Sequence, residues 1–201
     1  MKRLSIYLLV VWVIAALSAS TAYARKSTTP VTFIGIDYSL CQFIGAGDFS
    51  DPTQVTTYYP GVWNTLFIKE KLEDLDKAIG PLAAVVKPVE ANNAKVTSTQ
   101  IIHEDGGDWS STMSTISESD RLALVKGYAI PNHHGLGLVL IMDRLVKMEE
   151  LGCGWVTYFD IDSRTITAEE RVCADAGGFG FRNYWFNPIK EMLRTMKKVK
   201  P

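Results

Sequence analysis

Histidine and cysteine are scarce in this chain, three of each in 201 residues. No C-x-x-C or H-x-x-x-H spacing joins them, so the sequence carries no recognisable zinc-type ligand set. G-x-S-x-G is absent. Gly45-x-Gly47-Asp48 lacks the Lys-Ser/Thr of a phosphate loop, and Gly178-x-Gly180 lacks the strand context of a dinucleotide loop. Charge of one sign is missing as well. With 21 basic and 22 acidic residues the net charge is −1, which gives no broad attraction to nucleic acid or an anionic membrane. The basic cluster Lys197, Lys198 and Lys200 reads as a helix end complementing its own dipole. There is no internal repeat, no low-complexity tract and no second domain boundary.

The most informative segment is residues 1–24. Lys2 and Arg3 precede an apolar run from Leu4 to about Leu17, and the stretch closes on Ala22-Tyr23-Ala24. That order is a secretory signal peptide, with the cut expected between Ala24 and Arg25. The run is too short for a stable membrane span. An uncleaved leader tethering the domain to the inner membrane is a third possibility. Cleavage leaves one domain over residues 25–201, with 19 basic against 22 acidic side chains, a charge near −3. That length supports a core without metal or disulfide staples. The expected location is the periplasm or the outside of the cell.

Export permits disulfides. The segments around Cys153 and Cys173 read as arms of a hairpin turning at Asp162-Ser163-Arg164. A three-residue loop closing Ile161 on Thr165 puts the two cysteines directly opposite each other. A four-residue loop breaks that match. The alternatives are a Cys153–Cys173 bridge or two small buried thiols, with Cys41 unpaired in either case.

Val31–Tyr38 reads as a buried strand, and residues 40–59 as a long irregular stretch with a short strand at Gln42-Phe43-Ile44. Pro60–Ile79 reads as a helix with Trp63, Leu66, Phe67, Leu75 and Ile79 on one face, stopped by Gly80-Pro81. Leu82–Val89, interrupted by Pro88, is expected as a loop or short helix, and Ala94–His103 as a strand. Ser117-x-x-Asp120 opens a short helix ending near Gly127. Leu136–Lys147, Trp155–Ile161 and Thr165–Ala174 read as an antiparallel meander. In the closing helix Trp185, Ile189, Met192, Met196 and Val199 form one apolar stripe. Asn187-Pro188 is either its cap or a kink, depending on whether the helix starts nearer Phe181. The expected fold is α/β, with a mixed sheet ending in the meander and covered by about three amphipathic helices.

FIGIDYS, YYPGVWNTLFIKEKLEDLD and TYFDIDSRTITAEERVCADAGGFGFRNYW together resemble an uncharacterised family of exported proteins from Bacteroidota, over most of residues 25–201. The arrangement is also similar to small periplasmic α/β domains such as the TolB N-terminal domain. That resemblance implies binding to other envelope components and no particular activity.

Among candidate site residues, Asp37 ends the first strand, where α/β sheets often hold ligands; it could bind a polar group or cap a loop. His133-His134 sit in a turn and would need His103, Glu104 or Asp105 to complete a metal site. Asp160-x-Asp162 reads more readily as turn chemistry than as a carboxylate pair. The dense segment GGFGFRNYW combines hydrogen-bonding and flat apolar residues of the kind that dominate interfaces. The expectation is a non-enzymatic binding domain for another envelope protein or macromolecule, with no cofactor, metal or nucleic acid. Its surface is expected in residues 40–59, 104–115 and 177–184, with Asp37, Trp63, Trp109, Arg182, Asn183 and Trp185 as binding residues. The alternative is a small hydrolase or metal-assisted enzyme using Asp37, His103 and His134.

Overall fold

The computed structural model describes residues 29–45, 52–102, 114–199 and 201. Residues 1–24, expected to be a leader, together with His103 and Trp109 lie outside the described residues. The elements are β1 (Val31–Asp37), β2 (Gln42–Ile44), α1 (Pro52–Thr57), α2 (Tyr59–Ile79), β3 (Leu82–Val85), α3 (Val89–Asn93), a 3-10 turn at Ser98–Gln100, β4 (Ile101–Ile102), α4 (Glu118–Gly127), β5 (Leu136–Val146), β6 (Leu151–Asp160), β7 (Thr165–Asp175) and α5 (Phe181–Met196). The fold is α/β with a mixed seven-stranded sheet.

Strand β5 is its axis. It pairs in parallel with both β1 and β2 on one side and antiparallel with β6 on the other. Ten of its eleven residues are buried, as its almost unbroken apolar run requires. β1 aligns Asp37 with Ile141, and β2 aligns Gln42 with Arg144, so the two strands are halves of one column parted by Tyr38–Cys41. Opposite that break β5 itself bulges between Met142 and Arg144.

The larger core lies between one sheet face and helices α2 and α5, around Phe33, Phe67, Leu140, Met142, Trp185 and Met192. A smaller core on the other face joins Ile34, Val139, Ile141 and Phe159 to Val125 of α4 and Tyr128 just beyond it. α4 opens on the Ser117/Asp120 capping box, with Asp120 N–H donating to Ser117 Oγ (3.2 Å) and Ser117 N–H to the Asp120 carboxylate (3.0 Å).

Three expectations need correction. The stretch 40–59 is not irregular outside its short strand, because Pro52–Thr57 form α1. Leu82–Val85 is neither loop nor helix; it is an edge strand parallel to β1, with Leu82 beside Val31 and Val85 beside Phe33. Tertiary pairing overrides the weak strand preference of Ala83-Ala84. Ala94–His103 is not one strand. Its described part holds a 3-10 turn and the two-residue β4. Local side-chain bonding competes with the ladder there: Gln100 Oε1 accepts from Thr97 N–H (3.1 Å).

In the hairpin, Asp160 pairs with Thr165, a four-residue loop. A bulge at Thr167 then restores the match lost by that loop, and Cys153 faces Cys173. Their Cα atoms are 4.1 Å apart and the sulfurs are bonded. Cys41 is free and buried.

Candidate functional site

The break in the central column is where backbone groups lose their ladder partners, and side chains take them over. Asn64 of α2 accepts from Ile36 N–H (2.8 Å) and donates to Ile36 C=O (2.8 Å). Asn93 of α3 accepts from Tyr38 N–H (2.7 Å) and donates to Ile36 C=O (2.9 Å). Gln100 donates to the carbonyls of Tyr38 (3.1 Å) and Cys41 (2.8 Å). Gly35, at φ 115°, makes the close approach possible, because a Cβ there would lie 2.6 Å from Val89 Cγ2 and 3.0 Å from Asn64 Oδ1.

Asp37 sits at this break with no exposed surface. Its Oδ1 accepts from Ser39 N–H (2.8 Å) and Ser39 Oγ (2.6 Å), and its Oδ2 from Asn92 Nδ2 (3.0 Å) and Tyr128 Oη (2.8 Å). Four donors occupy the two oxygens, so Asp37 braces the strand end instead of presenting a carboxylate to a ligand. Burial pushes the Tyr128 hydroxyl well above its usual range, and the Asp37 charge adds to the effect, which keeps that hydroxyl a proton donor. Burial likewise raises the Cys41 thiol, which holds it away from the thiolate a nucleophile needs.

His134 lies just before β5, whereas Asp37 aligns with Ile141. At about 3.3 Å per residue they are roughly 20 Å apart, so the structure does not bring them together. His134 instead bonds Asp162, whose other oxygen accepts from Gly135 N–H (3.1 Å). The His134 hydrogen bond, then that of Gly135, holds the Asp162 carboxyl below the usual range. Asp160 is lowered chiefly by the Ser163 N–H, 2.7 Å away. Both carboxylates therefore serve the turn. Among the described residues no three His, Cys, Asp or Glu side chains gather in a way that would hold a metal ion.

Sequence reasoning missed an ionic layer on the α4 face. Asp143, fully buried, accepts from Arg171 Nε (2.9 Å) and Nη2 (2.7 Å), and from Thr115 N–H (3.0 Å) and Oγ1 (2.8 Å). Buried Arg121 grips Glu169 through two nitrogens and lies 3.6 Å above the Trp155 ring. The signal was Asp143-Arg144 inside an otherwise apolar strand, a place where charges are rare unless paired.

The proposed aromatic anchors also change. Trp63 and Trp185 are 0% and 1% exposed and belong to the core, since both lie on the inner stripes of their helices. Trp63 Nε1 donates to Arg182 C=O (2.9 Å), which ties α2 to the start of α5. Arg182 and Asn183 are exposed. Four large apolar side chains are exposed among the described residues. Of these, Met148 follows the end of β5 and Phe179 follows the end of β7, and those two strand ends flank Leu151 of β6. Tyr58 joins the same end through Tyr59, whose ring is 5.3 Å from its own and 4.6 Å from that of Phe181. Phe179 is 96% exposed between Gly178 (φ 113°) and Gly180 (φ 78°). Its loop is held by Asn183 Nδ2 donating to Phe179 C=O (3.2 Å) and by Gly177 N–H donating to Tyr184 C=O (3.0 Å). Met148 follows Lys147, whose ammonium lies 5.1 Å from the Tyr184 ring. Between α2 and α3 runs a groove of about 600 Å³, which Tyr58 and Arg182 also line.

Compared with known proteins, the chain matches no protein family, no curated protein and no solved structure. No helix among the described residues is long and apolar enough to cross a membrane.

Proposed function

We propose that this protein is an exported, non-enzymatic interaction domain. It engages another envelope component through the end of the molecule that carries Tyr58, Met148, Phe179 and Arg182. The observation carrying this reading is Phe179, a large apolar side chain almost wholly in solvent on a loop whose backbone is pinned at both ends. A lone exposed apolar residue is ordinary. A fixed aromatic at the same end of the molecule as two more exposed apolar side chains and a groove fits a contact surface. The charge–apolar–A-x-A leader supports export. So does the Cys153–Cys173 bridge, because disulfides persist in oxidising compartments. The saturated carboxylates of Asp37 and Asp143 speak for a braced scaffold over a reactive site.

The test is capture from envelope extracts by the immobilised protein, compared with a Phe179→Ser/Met148→Ser variant. Neither side chain belongs to the core, so the melting temperature is expected to stay within about 2 °C. Partner capture is expected to drop strongly. Equal capture by the two proteins would reject this surface.

A further inference from the structure

The geometry points to the occupant of the groove between α2 and α3: an extended peptide segment of about five residues with a carboxylate near each end. This rests on the reading of that end of the molecule as an interaction surface. The groove follows α2 from Tyr58 to Lys69, about 16 Å at 1.5 Å per residue. An extended chain rises about 3.3 Å per residue, so five residues span it. Pro60, Val62 and Leu66 provide apolar contact. The floor is rigid, because the Asn64 and Asn93 carboxamides are committed to the β1 backbone. Thr65 donates its hydroxyl to Gly61 C=O (2.9 Å), which leaves its oxygen able to accept an N–H from a guest.

Charge selects the guest. Arg182 follows Phe181, whose ring meets Tyr59 toward one end of the groove (4.6 Å), and Lys69 lies at the other end; neither forms an ion pair among the described residues. The acid on the wall, Glu90, is already paired with Lys87 at 3.4 Å. The groove thus carries a cation toward each end, with apolar Pro60, Val62 and Leu66 and polar Asn64, Thr65 and Asn93 between them. Neither a basic peptide nor a purely apolar one matches that pattern. α3 has only five residues and closes one side over a short length.

The probes are the acetylated, amidated peptides Glu-Leu-Ala-Leu-Glu and Lys-Leu-Ala-Leu-Lys, titrated into the isotope-labelled full chain and followed by amide chemical shifts. The acidic peptide is expected to shift Asn64, Thr65, Lys69 and Ala94 saturably, with a Kd of about 1 mM or tighter, and to bind at least about tenfold more tightly than the basic one. A Lys69→Ala/Arg182→Ala variant, altered only at exposed side chains, is expected to lose about tenfold in affinity for the acidic peptide while its spectrum elsewhere stays unchanged. Equal binding of the two peptides, shifts that map outside the groove, or no saturable shift overturns the assignment. If envelope capture persists while peptide binding fails, only the groove's occupant is wrong. If Phe179→Ser/Met148→Ser leaves capture intact, the interaction surface itself is wrong, whatever the peptides do.

Discussion

A carboxylate with no exposed surface is tolerated only when its oxygens are occupied, and Asp37 meets that condition with four donors. Replacing it with alanine leaves the buried Tyr128 hydroxyl without an acceptor and removes the partner of the half-buried Asn92 amide. Asp37→Ala is therefore expected to cost about 2–4 kcal/mol, and Tyr128→Phe about 1 kcal/mol, both measured by urea unfolding. A loss under about 0.5 kcal/mol for Asp37→Ala would show that the site is wetter than its burial implies. Asp162 behaves differently because it is exposed. Its carboxyl is held below the unfolded value by His134 and Gly135, so its contribution is present above that unfolded value, near 3.9, and is lost as pH falls through the lowered folded one. The melting temperature of Asp162→Asn is expected to lie below wild type at pH 6 and to converge with it as pH drops below about 4. A gap that widens on acidification would reverse the sign and reject the bond. Residue type alone misled for Trp63 and Trp185. Both look like interface residues by composition, yet each sits at a core position of an amphipathic helix, and the helical period was the better guide.

The β6–β7 hairpin shows how an element can be legible while its register is not. Alternation and turn residues mark both strands, but whether Cys153 meets Cys173 depends on two single-residue choices, a four-residue loop and a bulge at Thr167. The bridge spans a separation of 20 residues, which in the chain-entropy account corresponds to about 3 kcal/mol. Cys153→Ala/Cys173→Ala is expected to unfold at lower guanidinium, with a loss of about 2–3 kcal/mol, and reductant is expected to reproduce the shift in wild type alone. Reductant acting equally on both proteins would place its effect elsewhere. Helix α5 makes a related point. Pro188 cannot donate to the Tyr184 carbonyl, and that freed acceptor takes the Gly177 N–H, which fastens the Phe179 loop. The residue that left cap or kink open in the sequence is, in the fold, what positions the exposed phenylalanine.

At the scale of the whole molecule, the parts read correctly from sequence each carry a strong local signal: apolar stripes in α2 and α5, the capping box of α4, the apolar runs of β1 and β5, and the turn between β6 and β7. Residues 82–102 were misread because they are short and their structure is imposed by the broken central column. Asn64, Asn93 and Gln100 are polar residues whose purpose appears only when three distant segments meet. The same contrast sets a stability gradient. β5 is bonded on both edges and buried almost throughout, whereas β3 pairs on one edge and β4 has two residues. Amides of Leu138–Met142 are therefore expected to exchange with solvent only through global unfolding. Amides in Leu82–Val85 and Ser98–Ile102 are expected to exchange through local opening at a lower free energy and with little denaturant dependence. Asn93→Ala removes the bonds to Tyr38 N–H and Ile36 C=O, so it is expected to lower protection in Leu82–Val85 and around Tyr38 more than in Val139 or Ile141. A uniform loss across all of these amides would mean that the column break and the β5 axis unfold as one unit, and that the carboxamides brace the whole sheet rather than its weakest seam.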